Sequence, residues 1–251
     1  EFDFDNIGNI DAVVHLAGQV SVPVSIDSFK ESSSTNLLGT ISVMEYCQKH
    51  DIPLVYASSS AVYGNLPLGD DCVDKVNLLS PYAVDKYTME LYAKTSFKIH
   101  RLSSIGLRFF NVYGPRQDPT SPYSGVISIF ADRLLNGKSI VINGGHQTRD
   151  FVYVEDVVKA IYKSVLTANE RILCEQVNVL TGQSVTIDRV ADMLMTAVDV
   201  QVKKIYQELP AGDPVRSKGT TGKMKLILGT DLNDMIPIDT GLSSTVNFIK
   251  I

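Results

Sequence analysis

The sequence lacks most features that would direct a chain to a membrane, to nucleic acid or to a metal. No apolar run approaches the ~18 residues needed to span a bilayer, and no signal-peptide pattern precedes the first predicted strand. Acidic residues outnumber basic ones, 28 to 23, and no basic cluster stands out, so a nucleic-acid partner is not expected. Cys47, Cys72 and Cys174 are odd in number and scattered. They are read as free thiols of a reducing, cytoplasmic setting. No Cys or His pair sits at ligand spacing, and no metal is expected. Internal repeats and low-complexity tracts are missing too. What remains is ordinary globular composition, 44% hydrophobic and 20% charged over 251 residues. That suits one large domain, or two small ones sharing a core.

The order of apolar segments gives the fold class. "DAVVHLAG" at 11–18, "IPLVYASSS" at 52–60 and "SIGLRFF" at 104–110 read as buried parallel strands. Between them lie a polar stretch around Pro23, a helix over "STNLLGTISVMEYCQKH" at 34–50, and a helix over "SPYAVDKYTMELYAKTSF" at 80–97. The last has Ser at the N-cap and Pro at the first helical position, a strong start signal. Strand, helix, strand, helix, strand is the pattern of an α/β parallel sheet with right-handed crossovers. After Asn111 the rhythm changes. "NVYGPRQDPTSPYSG" reads as a long ordered loop. Short strands ("IVI", "QVNVL") and helices ("VEDVVKAIYKSVL", "TIDRVADMLMTAV") then follow in a smaller C-terminal lobe. The expected division is 1–110 and 111–251, with some segments interleaved.

Two short pieces carry candidate chemistry. Tyr82 and Lys86 are four residues apart, on one face of the predicted helix. Tyr82 falls in the first turn, where the helix dipole favours an anion. A free phenol has a pKa near ~10, and each tenfold change in its acidity is worth ~1.4 kcal/mol. A phenolate near pH 7 therefore needs about 4 kcal/mol of help, which the helix end and a neighbouring ammonium could share with a bound cation. Ser58, Ser59 and Ser60 end a predicted strand, the side of an open α/β sheet where ligands bind. Taken alone, a Tyr and Lys at this spacing are also a common surface pair, and serines at a strand end also make turn bonds. The four histidines read as structural or solvated, Tyr63 and Phe151 as packing, and Glu31, Glu45 and Glu90 as solvated helix-face residues.

Together the pieces resemble a family. "DAVVHLAG", the Asn of "STNLLGT", "YASSSAVYGN", "SPYAVDK", "LRFFNVYGPRQDP", "NGGHQTRDFVYVEDVV" and "PAGDPVRS" are ordered and spaced as in the extended short-chain dehydrogenase/reductases. Within these the chain resembles the nucleotide-sugar 4-epimerases. The resemblance implies a Rossmann-like doubly wound parallel sheet with a smaller α/β substrate lobe, NAD as cofactor and a UDP-sugar as substrate. It also implies a homodimer paired through a four-helix bundle, formed in this chain by 80–97 and roughly 35–50.

Carried over by position, the resemblance makes Ser59 the catalytic hydroxyl, Tyr82 the base, and Lys86 the residue that holds the nicotinamide ribose. Ala17, Gly18, Asn36, Ser58 and Phe109 fall on cofactor-contacting positions, beside Tyr82 and Lys86. Ser21, Ser60, Asn111, Val126, Arg149, Arg216 and Ser217 fall on substrate positions, with Asn111, Arg149 and Arg216 toward the diphosphate. Pro210 stands where some relatives carry an Arg. "GTTGKMK" lacks the Asp that relatives place before the Lys. Dehydratase and decarboxylase relatives place a carboxylate just after the catalytic hydroxyl residue. Here Ser60 and Ala61 follow Ser59, which favours simple epimerisation.

Family members open with a strand, a Gly-x-x-Gly-x-x-Gly turn and a helix whose N-terminus receives the dinucleotide pyrophosphate. No such motif occurs in these 251 residues. Glu1 falls just before what resembles the fourth strand, and "EFDFD" weakly resembles the end of an adenine-contacting loop. The expectation for a fragment without the Gly-rich unit is that it exposes apolar surface, folds poorly and binds NAD weakly or not at all.

Overall fold

The computed structural model of the chain describes residues 8–121, 123–210 and 213–250. The segment "EFDFD" lies outside them. The first predicted strand contributes β1 (Val13–His15). The polar stretch around Pro23 is helical. Ser21 caps α1 (Val22–Asp27) and α2 (Phe29–Ser33) follows at once. These helices escape apolar periodicity because serines form their contact with the body of the protein: Ser25 and Ser32 are fully buried. A π-helical turn at Ser34–Leu38 leads into α3 (Gly39–His50). Such turns are rare and concentrate at functional sites, and this one holds Asn36.

β2 (Leu54–Ser59) is followed by a 3₁₀ turn at Ser60–Tyr63. α4 (Pro81–His100) begins as predicted, with the Ser80 hydroxyl accepting from the Ala83 N–H at 3.2 Å. β3 (Ser104–Phe109) comes next. Inside the stretch read as a loop, Asn111–Tyr113 forms a short strand, β4. The C-terminal half then adds α5 (Val126–Leu135), β5 (Ile140–Asn143), β6 (Thr148–Tyr153), α6 (Val154–Glu170) and β7 (Cys174–Val179). It closes with β8 (Ser184–Thr186), α7 (Ile187–Val198), β9 (Lys204–Gln207), α8 (Gly222–Leu228) and α9 (Ile238–Ile249).

The main sheet runs β1-β2-β3-β7, all parallel. β2 and β3 are its central strands and are buried almost throughout, as parallel strands covered on both faces should be. On one face Met44 and Cys47 of α3 and Met89 and Ala93 of α4 pack on Leu54 and Tyr56. On the other face Val157 and Ala160 of α6, with Met224 and Leu228 of α8, pack on Val55, Ile105, Leu107 and Val177. A second core gathers α5, α7 and α9 under β4, β5 and β6 and includes Phe151, which packs as expected. β4 pairs parallel with β6, and β6 antiparallel with β8. Among the described residues β1 has a partner on one side only, and Val14, Leu16 and Val20 around it are exposed. Cys47, Cys72 and Cys174 are free thiols. No helix of the described residues is long and apolar enough to cross a membrane.

Candidate active site

The carboxyl ends of β2 and β3 open into a cleft of about 620 Å³ between the main sheet and the second core. One wall carries Ser59, Ser60 and Tyr82, with Phe109 at the end of β3. Asn111, at the start of β4, and Arg149, Arg216 and Ser217 line the same cleft. Residues far apart in sequence therefore meet in one space, as the strand-end rule requires. Pro210 and Lys218 also line the cleft. Lys218 gives the cleft a cation that the sequence motifs do not point to.

Ser59 is the last residue of β2 and caps the 3₁₀ turn, its hydroxyl accepting from the Ala61 N–H at 3.1 Å. Tyr82 is held by its backbone, whose N–H donates to the Ser25 hydroxyl at 3.1 Å. Burial pushes the Tyr82 phenol above its ordinary pKa, and a hydrogen bond from Ser59 works against that rise. Lys86 is buried. Its Nζ donates to the Ala57 carbonyl at 2.8 Å and lies 5.7 Å from the Tyr82 ring centroid. Desolvation brings the ammonium down to about 8, against the pull of neighbouring Asp85. His15, whose Nε2 meets the Thr40 hydroxyl at 3.0 Å, is also lowered, by burial and then by the Lys86 charge.

Behind this wall the cofactor candidates form their own group. The Asn36 amide clamps the Gln19 backbone, accepting from its N–H at 2.8 Å and donating to its carbonyl at 3.0 Å. A Cβ on Gly18 would fall 2.9 Å from Asn36 Oδ1 and 3.8 Å from Lys86 Nζ. Only glycine fits so near the Asn36 amide. Ala17, next to it, is exposed. Three candidates stand elsewhere. Ser58 turns away from the cleft and donates to Glu90 at 2.5 Å. Ser21 accepts from the Val24 N–H at 3.3 Å. Val126 opens α5 and packs against the second core.

Glu90 corrects the sequence reading. It is fully buried, not solvated, and binds Arg108 through both oxygens, at 2.8 Å from Nε and 2.5 Å from Nη2. Tyr63 is likewise more than packing: its hydroxyl accepts from Arg108 Nη1 at 2.8 Å and donates to Asn178 at 2.7 Å. Two carboxylates line the cleft, Asp27 and Asp213. Asp213 is bound to Arg149 at 2.6 Å. Asp70, Asp71 and Cys72 bring ligand atoms within 4.8 Å of one another, but Asp71 is engaged by the Asn178 N–H and the Thr220 hydroxyl.

Comparison with known proteins matches this arrangement to one family. Residues 4–179 fit the model of the NAD dependent epimerase/dehydratase family, and the chain belongs to it. Over 251 aligned residues it is 37% identical to a putative UDP-glucose 4-epimerase of Methanocaldococcus jannaschii, covering 98% of this chain and 79% of that protein. It superposes with a TM-score of 0.87 on a UDP-N-acetylglucosamine 4-epimerase of Methanobrevibacter ruminantium bound to UDP-N-acetylmuramic acid. That pair is 32% identical, covering 96% of this chain and 76% of that one. A UDP-glucose 4-epimerase of Thermus thermophilus in complex with NAD superposes at 0.85 with 30% identity, covering 96% and 78%.

NAD is the cofactor of the family, and the residues present fit its nicotinamide end. The bare Gly18 backbone lies beside the Lys86 ammonium, with Tyr82 at the cleft wall. The Gly-x-x-Gly-x-x-Gly turn that would cradle the pyrophosphate is not among these 251 residues.

Proposed function

We propose that the protein catalyses 4-epimerisation of a UDP-hexose, plain or N-acetylated, through a 4-keto sugar. The observation that carries this reading is the single cleft that joins Ser59 and Tyr82 to Asn111, Arg149 and Arg216. Cations and an amide at one end suit a diphosphate, and hydroxyls at the other suit proton transfer at a sugar carbon.

NAD, when bound, supplies the acceptor and later the donor of the C4 hydrogen, together with a positively charged ring. Tyr82 takes the C4 hydroxyl proton, with Ser59 hydrogen-bonded between the two oxygens. The Tyr82 phenol is raised by burial, so positive charge must favour the phenolate. Lys86 and the first turn of α4 provide it from the protein side. Arg149 binds Asp213. An entering phosphate would compete for the same guanidinium, offering it a bidentate partner of higher charge. After the sugar turns over and presents its opposite face, Tyr82 returns the proton to the C4 oxygen.

Ser60 and Ala61 follow Ser59, so the residues next to it offer no carboxylate for elimination. Incubation with NAD and UDP-glucose, UDP-galactose or UDP-N-acetylglucosamine, followed by proton NMR, tests the reading. A C4 epimer is expected. Loss of water from these sugars, or of carbon dioxide from UDP-glucuronate incubated in parallel, would assign a dehydratase or decarboxylase instead.

A homodimer through α3 and α4 belongs to the same proposal. Val84, Leu91, Tyr92 and Ile99 form an exposed apolar stripe along α4, 46%, 41%, 45% and 67% exposed. Leu38, the last residue of the π-helical turn before α3, adds 58%. Light scattering at micromolar concentration should give twice the chain mass, and a monomer mass would refute the pairing.

A further inference from the structure

A chain of buried polar side chains runs beside the cleft, which it touches at Tyr63. It starts at the Ser58 hydroxyl, which donates to Glu90. Glu90 holds the Arg108 guanidinium with two hydrogen bonds. Arg108 donates to the Tyr63 hydroxyl, which donates to Asn178 Oδ1. The Asn178 amide group donates to the Gly69 carbonyl at 3.0 Å and the Thr220 carbonyl at 3.1 Å. Glu90 and Asn178 are fully buried and Arg108 is 2% exposed. Backbone bonds complete the far end, from Gly69 N–H to the Lys218 carbonyl at 2.8 Å and from Thr220 N–H to the Gly69 carbonyl at 3.0 Å.

The two ends of this chain are the two walls of the cleft. Ser58 adjoins Ser59 at the end of β2. Thr220 ends the segment that carries Arg216, Ser217 and Lys218. A buried ion pair is a poor device for stability, since apolar residues of like volume often serve as well or better. Its value lies in fixed geometry. The Arg108 fork has two directions, and both are used, one toward Glu90 and one toward Tyr63.

We propose that Glu90, Arg108, Tyr63 and Asn178 are positioning residues that set the distance between the proton-transfer wall and the anion-binding wall. They act through Ser59 and through the segment 216–220; Tyr63 also lines the cleft, whereas Glu90, Arg108 and Asn178 do not. The identity of the two walls rests on the proposed function; the mechanical link between them does not.

Two variants test the link. Tyr63→Phe removes the hydroxyl that joins Arg108 to Asn178 and keeps the packed ring. The double variant Glu90→Gln with Arg108→Met removes both charges at once, because Arg108→Met alone would strand a buried carboxylate and risk unfolding. Hydrogen exchange of the segment 216–220 is expected to speed up at least tenfold in both, with β5 unchanged. In the enzyme loaded with NAD, kcat for C4 epimerisation is expected to fall by roughly 10- to 100-fold, the scale of an ångström-sized misplacement. The Kd for UDP, which needs one wall only, should hold within threefold. Arg108→Lys, which keeps the charge but loses the fork, should not rescue kcat.

Unchanged exchange at 216–220 in Tyr63→Phe would overturn the proposal. So would a parallel loss of UDP affinity, kcat and melting temperature, which marks a merely structural role. If the parent turned over no UDP-hexose while exchange responded as stated, the functional reading would fall and the tether would stand.

Discussion

The Lys86 ammonium donates to the Ala57 carbonyl at 2.8 Å, which fastens α4 to the end of β2 two residues before Ser59. Lys86 thereby sits too deep for an ordinary lysine, and desolvation lowers it to about 8. Below pH 8 the group is charged and can favour a Tyr82 phenolate; above it that charge is lost. The pH profile of kcat should therefore fall on an alkaline limb near 8. Lys86→Arg, which stays protonated, should move that limb up by more than one pH unit, whatever it does to the maximum. A limb that stays in place in Lys86→Arg would show that another group titrates.

Tyr82→Phe should abolish turnover with the fold intact. The ring is buried and its backbone N–H already has Ser25 as acceptor, so only the proton-accepting oxygen is lost. Ser59→Ala should lose less, on the order of 10²–10⁴-fold for a positioned proton-transfer group. It also removes the acceptor for the Ala61 N–H, so melting should be measured alongside. Retention of turnover within tenfold in Tyr82→Phe would remove Tyr82 as base. Greater damage from Ser60→Ala than from Ser59→Ala would transfer the role of Ser59 to its neighbour.

Much of this arrangement is legible in the sequence, and the exceptions have physical reasons. β2 and β3 announce themselves because both faces are covered and the run stays apolar. α4 announces itself through Ser80 and Pro81. α1 and α2 do not, because serines take the buried positions and bond to α4: Ser25 to the Tyr82 N–H, Ser32 and Ser33 to the Asp85 carboxylate. Glu90 reads as solvated because glutamate usually is. Its partner lies 18 residues away on another element, at a separation with no local pattern. Tyr63 is hidden for the same reason, with Asn178 lying 115 residues further on.

Asp150 offers a test of stability against pH. It is 1% exposed, and its Oδ1 accepts from the N–H and hydroxyl of Thr181. Burial outweighs those bonds and raises it to about 6. A carboxyl raised in the folded state keeps a proton that the unfolded chain releases near ~4. Stability therefore falls as pH rises through this window and stays reduced above it. Asp150→Asn keeps an acceptor oxygen and removes the charge. Urea unfolding should show a gain of ~1–3 kcal/mol at pH 7.5, given ~1.4 kcal/mol for each tenfold change in proton affinity, and little change at pH 4.5. Equal destabilisation at both pH values would contradict the sign of this effect.

Ser217 offers a test of the size of sugar that the proposed function would accept. Its backbone is fixed from both sides, the N–H donating to the Thr148 carbonyl at 3.0 Å and the carbonyl accepting from the Ser184 hydroxyl at 2.9 Å. Its side chain lines the cleft next to Arg216. Under the proposed function, a small residue held rigidly there would leave room for a substituent on the sugar's C2. Its hydroxyl can also bond an acetamide, a partner whose loss would cost ~1–3 kcal/mol if the group were left buried and unpaired. Ser217→Tyr fills that room without disturbing the two backbone bonds. The ratio of kcat/KM for UDP-N-acetylglucosamine over UDP-glucose should then fall at least tenfold, mainly through the acetylated sugar. Equal losses for both sugars would mean that the tyrosine blocks the cleft as a whole. An unchanged ratio would place the C2 substituent against another part of the wall.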